Sequence, residues 1–174
     1  MKVRAEHDRV REALEAADAD RLGTVTQVDT YYDHPVREFA ETDEALRVRR
    51  ESHNGDAESV LTYKGPLVEA ASKTRREVET GVEDADDLDA ILESVGFEAT
   101  ATVRKERTRY ELEGYTVSLD TVSGLDEFVE VETEAETVEP AREGAVELLE
   151  RLGLDPSDQI RTSYLGLLLA SDNS

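Results

Sequence analysis

Cysteine and tryptophan are absent from the 174 residues, methionine occurs once and proline four times. Without cysteine there is no disulfide, no thiolate metal site and no cysteine nucleophile. Lysine is scarce as well: only Lys2, Lys64, Lys73 and Lys105, so 16 of the 20 basic residues are arginine. The longest apolar stretch, Leu165 to Ala170, falls far short of the roughly 20 residues that cross a bilayer. Charged residues follow Met1 at once, which is not the pattern of a signal peptide. His7, His34 and His53 lack ligand spacing, and the chain has neither a Walker-type phosphate loop nor a nucleophile elbow. A cytoplasmic protein that does not engage membranes is expected.

The chain has a large acidic excess. Forty-two acidic residues against 20 basic ones leave a net charge of -22, spread along the whole length. Such a field repels phosphate backbones and argues against a nucleic-acid binder. Acid excess with little lysine suits a high-salt cytosol, where screening tolerates self-repulsion, so the composition reads as halophilic. Against that background a retained lysine carries information.

The hydrophobic patterning describes an α+β chain of single-domain size. Strands are expected at Met1–Ala5, Val25–Asp33, Leu46–Glu51, Ser59–Lys64, Thr74–Val82, Thr100–Glu111, Tyr115–Asp120 and Glu127–Glu134. Helices are expected at Glu6–Ala19, Asp84–Val95, Pro140–Leu152 and Ser163–Ala170, with a turn at Thr42–Ala45. Gly65-Pro66 should stop the fourth strand, and Asn54-Gly55 marks a hairpin.

Strand side chains alternate between two faces. Arg47 and Arg49 oppose Leu46 and Val48; Lys105, Arg107 and Arg109 align; Ser118 and Asp120 oppose Val117 and Leu119; Glu130 and Glu132 oppose Val129 and Val131. Arg75, Glu77 and Glu79 align, as do Thr62 and Lys64, and Lys2 and Arg4 flank Val3. Strand after strand therefore has one apolar face and one face carrying both signs of charge. An antiparallel sheet with one solvated face would look the same. If the sheet curls into a barrel with the helices outside, the charged faces point inward. The lumen can then grip a polyphosphate with Lys and Arg and a divalent cation with carboxylates.

The ordered motifs carry a resemblance. Asp29-Thr30-Tyr31-Tyr32-Asp33-His34-Pro35, Thr42-Asp43-Glu44-Ala45-Leu46-Arg47-Val48-Arg49 and Thr62-Tyr63-Lys64-Gly65-Pro66 come first, followed by Lys73-Thr74-Arg75-Arg76-Glu77-Val78-Glu79. Val103-Arg104-Lys105-Glu106-Arg107, Ser118-Leu119-Asp120, Phe128-Val129-Glu130-Val131-Glu132 and Ser163-Tyr164-Leu165 complete the set. Together they resemble the CYTH superfamily, also called triphosphate tunnel metalloenzymes, and are most similar to its class IV adenylyl cyclase branch. The resemblance implies one CYTH-like domain over residues 1–174, folded as an eight-stranded antiparallel closed β-barrel with helices packed outside.

It also implies roles. Lys2, Arg47, Arg49, Lys64, Arg75, Lys105 and Arg107 would bind substrate phosphates. Lys64, Lys105 and Arg107 would neutralise the leaving group. Glu77, Glu79, Asp120, Glu130 and Glu132 would hold Mg2+ or Mn2+. The family opens with Glu-x-Glu-x-Lys; Lys2 matches the lysine and both glutamates are absent, so either the start as given is truncated or half the metal site is lost, and slow turnover of the chain as given is the corresponding expectation. The implied activity is conversion of ATP to cyclic AMP and pyrophosphate. Two alternatives share the site: hydrolysis of tripolyphosphate, thiamine triphosphate or a nucleoside triphosphate, and non-catalytic binding of polyphosphate or nucleotide. The partner is a nucleoside, organic or inorganic triphosphate, and the reading accommodates a homodimer.

Overall fold

The computed structural model of the chain describes residues 1–69, 74–134 and 137–172; Lys73, in one of the matched motifs, lies outside them. The backbone groups into two compact units, Met1–Val25 with Lys105–Ser174, and Thr26–Arg104. Eight strands hydrogen-bond in the order β1-β8-β7-β6-β2-β3-β4-β5, which ends at β1 on one side and β5 on the other.

In the first unit, β1 (Lys2–Arg4) pairs antiparallel with β8 (Glu127–Glu132), β8 with β7 (Tyr115–Val122), and β7 with β6 (Glu98–Leu112). The apolar face is the expected one. Val3, Val129, Val131, Val117, Leu119, Tyr110 and Leu112 form a buried cluster with Val10 and Leu14 of α1 (His7–Ala16) and with Ala145, Leu148 and Leu149 of α4 (Val138–Arg151). Each fully buried Val or Leu contributes roughly 1.5–3 kcal/mol. Helix α1 stops three residues earlier than its pattern suggests. Asp18 takes a left-handed backbone at φ 54°, and the chain turns at once into β2 (Asp20–Asp33). The early part of β2 has no alternation to announce it; Thr24 Oγ1 meets Thr108 Oγ1 at 2.9 Å. Helix α4 begins two residues before Pro140, which sits in the first turn, where its missing N–H is not needed.

The second unit holds the rest of β2, β3 (Ala45–His53), β4 (Asp56–Glu69) and β5 (Thr74–Val82), all paired antiparallel. Tyr32 and Val48 pack with Leu46 and Leu61 against Ala85, Leu88 and Leu92 of α3 (Ala85–Ser94). Asp84 caps that helix, its Oδ1 accepting from the N–H groups of Asp86 and Asp87 at 3.0 Å each. Two local expectations change. Gly65-Pro66 does not end β4; the strand continues to Glu69 and absorbs the pair through register shifts after Lys64 and Leu67. The turn expected at Thr42–Ala45 is preceded by a one-turn helix, α2 (Phe39–Thr42), ended by Asp43 at φ 54°. Among the described residues no helix is long and apolar enough to cross a membrane.

Candidate functional site

The charged face of the first unit is built from register. Lys2 lies opposite Glu130, Glu130 opposite Ser118, and Ser118 opposite Arg109. One row along, Arg107 faces Asp120 and Asp120 faces Phe128. The side chains are buried: Lys2 is 8 % exposed, Lys105 5 %, Arg107 7 % and Asp120 0 %. Buried charges need partners. Arg107 forks onto Asp120, Nε to Oδ1 at 2.7 Å and Nη2 to Oδ2 at 2.6 Å, and Nη2 also reaches Glu130 Oε2 at 2.5 Å. Lys105 Nζ lies 4.0 Å from Asp120 Oδ2.

Tyr164, at the start of α5 (Tyr164–Asp172), completes this cluster. Its hydroxyl donates to Asp120 Oδ2 at 2.7 Å, and its ring packs edge-on against Phe128, centroids 5.0 Å apart. Lys2 Nζ sits 4.1 Å from the centre of the Tyr164 ring and Lys105 Nζ 5.0 Å, in reach of the ring's negative face. Lys2 also donates to the Thr162 carbonyl at 2.5 Å.

Electrostatics fix the protonation states. Burial pushes the Asp120 carboxyl up, but the bonds and charge of Arg107, with Lys105 and Tyr164, outweigh it and hold the group below its ordinary range. Burial works against the Arg107 cation too, and Asp120, Glu130 and Glu132 more than restore it. The Tyr164 phenol is driven well above its ordinary range by burial, Glu130 and Asp120, so it stays a neutral donor.

The second unit has its own cluster. Arg49 forks onto Asp29, Nε to Oδ1 at 2.6 Å and Nη2 to Oδ2 at 2.7 Å. Arg47 is held more loosely, 3.6 Å from Asp29 and 3.6 Å from Glu79, with a 3.2 Å bond to Thr62 Oγ1; the Thr62 hydroxyl in turn donates to Glu79 at 2.8 Å. Arg47 Nε is buried without an acceptor among the described residues. Lys64 pairs with Glu77 at 3.0 Å near the surface.

The structure thus brings together Lys2, Lys105, Arg107, Asp120 and Glu130 in one unit, and Arg47, Arg49 and Glu79 in the other, with the Lys64–Glu77 pair one register row beyond Arg47 and Glu79. Glu132 is exposed on the same strand face as Glu130. Arg75 goes elsewhere: its guanidinium binds the carbonyl and carboxylate of Asp43 at 2.7 and 2.6 Å, because the shifts in β4 change its register.

Sequence reasoning gave no role to Asp29, Thr62, Tyr164 or Glu44. Thr62 shares a strand face with Lys64, a signal that alternation supplies, whereas Asp29 meets Arg49 only through the register of β2 on β3. Tyr164 had none. Buried Glu44 accepts from Thr42 at 2.6 Å and from Arg37 and Tyr63, and these bonds hold its carboxyl down to about 2. A depressed carboxyl stabilises the fold above its unfolded pKa of about 4.3 and loses that contribution as pH falls through its folded value. The stability gap between the wild type and Glu44→Gln should therefore close as pH drops from 5 to 2 in urea titrations. A gap that is constant over that range would refute the assignment.

The carboxylates supply hard oxygen donors of the kind Mg2+ and Mn2+ take. Among the described residues, however, no three acidic or histidine side chains gather closely enough to hold a cation alone. On β8 Glu132 is exposed and Glu130 has one oxygen on Arg107, so both are more open to a cation than Asp120, whose two oxygens are taken by Arg107 and Tyr164.

The chain belongs to the CYTH domain family, whose profile matches residues 1–164. It is 38 % identical over 144 residues to a Methanocaldococcus jannaschii protein named "Putative adenylate cyclase", covering 81 % of this chain and 80 % of that protein. The solved PH1819 protein of Pyrococcus horikoshii superposes with a TM-score of 0.86 at 38 % identity, over 98 % of this chain and 97 % of that one. A Hippeastrum protein described as a "Putative adenylyl cyclase" that reveals a dominant triphosphatase activity shares the fold, with a TM-score of 0.70 at 17 % identity over 98 % and 93 % of the two chains.

Proposed function

We propose that this protein is a metal-dependent triphosphate enzyme of the adenylyl cyclase type, converting ATP to cyclic AMP and pyrophosphate in the cytoplasm. The observation that carries the reading is the burial of Lys2, Lys105, Arg107 and Arg47 on charged strand faces, in a chain with four lysines in all. Burying cations is costly, and a fold that places them on sheet faces opposite its apolar core has a use for them. Family membership makes a triphosphate the natural anion. In this reading the chain acts as one domain and its strands close into a barrel.

Lys2, Arg47 and Arg49 take phosphate oxygens, the arginines as forks and the lysine as a point charge. Arg47 is the readiest to exchange partners, since its ion pairs are long. Arg75 is a weaker contributor because Asp43 holds it. Lys64, Lys105 and Arg107 neutralise charge on the departing pyrophosphate, so that positioning and electrostatics do most of the catalysis. Glu130 and Glu132 would hold Mg2+ or Mn2+, with Asp120, Glu77 and Glu79 supporting them through solvent or neighbouring cations. A bound divalent ion supplies Lewis-acid stabilisation of phosphate oxygens.

Incubation with ATP and Mn2+ tests the reading through its products. Cyclic AMP and pyrophosphate support it, orthophosphate points to a triphosphatase, and unchanged ATP to a binder. A second measurement concerns Lys64, whose pair with Glu77 is largely solvated. Lys64→Ala should weaken binding of a non-hydrolysable ATP by about tenfold or more while shifting unfolding by less than about 1 kcal/mol. Unchanged affinity would remove Lys64 from the site. The acidic composition also supports a high-salt setting, so the melting temperature should climb from low to molar KCl. A flat response would exclude that setting.

A further inference from the structure

Gln27 lies on β2 two residues before Asp29, so strand alternation puts both on one face. It pairs with Glu51, next to the Asp29–Arg49 pair and two pairs from Tyr31–Arg47. The residue is 0 % exposed. Its Nε2 donates to Glu51 Oε2 at 2.5 Å. A carboxylate only accepts, so this bond fixes the amide orientation: the nitrogen must face Glu51 and the oxygen must point away. That oxygen, Oε1, is buried and has no donor among the described residues. An orphaned buried acceptor is destabilising, and methionine would fill the same space without the cost.

The chemistry of the orphan is selective. Phosphate oxygens at neutral pH are acceptors too, so a triphosphate chain cannot satisfy it. A hydroxyl or an amino group can. One two-residue step along a strand is about 7 Å, which separates Gln27 from the Asp29–Arg49 pair by roughly the span from a nucleotide's phosphates to its sugar.

We propose that Gln27 Oε1 accepts a hydrogen bond from the organic half of the substrate, a ribose hydroxyl or a base amino group, and so selects a nucleoside triphosphate over inorganic tripolyphosphate. The inference rests on the triphosphate reading above and adds to it the residue that recognises the nucleoside. Gln27 is then a specificity residue, and its contribution shows in the ratio of two affinities rather than in either one.

The test is calorimetric titration of wild type and Gln27→Met, in molar KCl with Mn2+, with four kinds of ligand. These are a non-hydrolysable ATP, its 2′- and 3′-deoxy forms, the inosine analogue lacking the 6-amino group, and tripolyphosphate. Wild type should bind the ATP analogue at least about tenfold tighter than tripolyphosphate. Gln27→Met should lose about that factor for the ATP analogue and nothing for tripolyphosphate. The analogue that wild type and variant bind equally well identifies the donor as a ribose hydroxyl or the base amino group. Equal losses for ATP and tripolyphosphate, or no loss for either, overturn the proposal. A wild type that binds no triphosphate at all overturns the functional reading as well, and is distinguished by the silent tripolyphosphate arm. Should Gln27→Met fail to fold, Glu51→Gln frees the Gln27 amide to flip and is expected to erode the preference for ATP; a preference kept in full by that variant counts against the assignment.

Discussion

Replacing Arg107 by methionine should destabilise the protein by about 3–5 kcal/mol. The guanidinium is the main partner of Asp120, which is 0 % exposed, and it also binds Glu130. Methionine keeps the length and apolar stem but leaves a carboxylate in a dry place, with the Tyr164 hydroxyl and Lys105 Nζ at 4.0 Å as its remaining support. A surface ion pair would give less than about 1 kcal/mol. Urea unfolding at molar KCl distinguishes the two magnitudes. The double variant Arg107→Met, Asp120→Asn should recover part of the loss, because the fully buried carboxylate of Asp120 is no longer left without its cation. An Arg107→Met protein within about 1 kcal/mol of wild type would show that solvent reaches the pair, and the buried cluster would have to be redrawn.

Phe128→Ala should be nearly as severe, about 3–5 kcal/mol, which for a chain of this length lowers the melting temperature by roughly 10 °C or more. Phe128 is 0 % exposed although its strand position places it on the charged face, opposite Asp120 and Arg4. Its ring supports Tyr164, and Arg4 and Lys2 lie 5.6 and 6.0 Å from its centre. Truncation opens a cavity beneath the phenol that donates to Asp120, so stability and triphosphate affinity should fall together. Phe128→Leu should cost far less, since most of the volume is kept. If alanine and leucine behave alike, the ring does not hold Tyr164 in place.

Both predictions concern groups that the sequence reveals unequally. Arg107 and Asp120 stand out by alternation, because a β-strand repeats every two residues and the apolar partners Val117, Leu119, Val129 and Val131 define the other face. The same period fixed the core against α1 and α4, whose own spacing is evident in Val10 and Leu14 or Ala145 and Leu149. Alternation does not say which carboxylate an arginine takes. Arg75 shares strand parity with Glu77 and Glu79, yet it binds Asp43, since the shifts beyond Lys64 change what lies opposite it. Gly65-Pro66 reads as a stop because proline lacks an N–H, and only the paired strands show that bulges carry β4 past it.

The sequence by itself determined the α+β class, the apolar and charged faces of the strands, and the kinship to CYTH proteins, because each rests on local periodicity or on motifs in linear order. The tertiary structure alone decided that Tyr164 and Phe128 close over Asp120, that Arg49 is committed to Asp29 while Arg47 is loosely held, and that Gln27 Oε1 has no donor among the described residues. Those features join residues up to 44 positions apart or depend on one buried hydrogen bond. Chain-closure entropy and desolvation set them, and neither has a period that can be read along a chain.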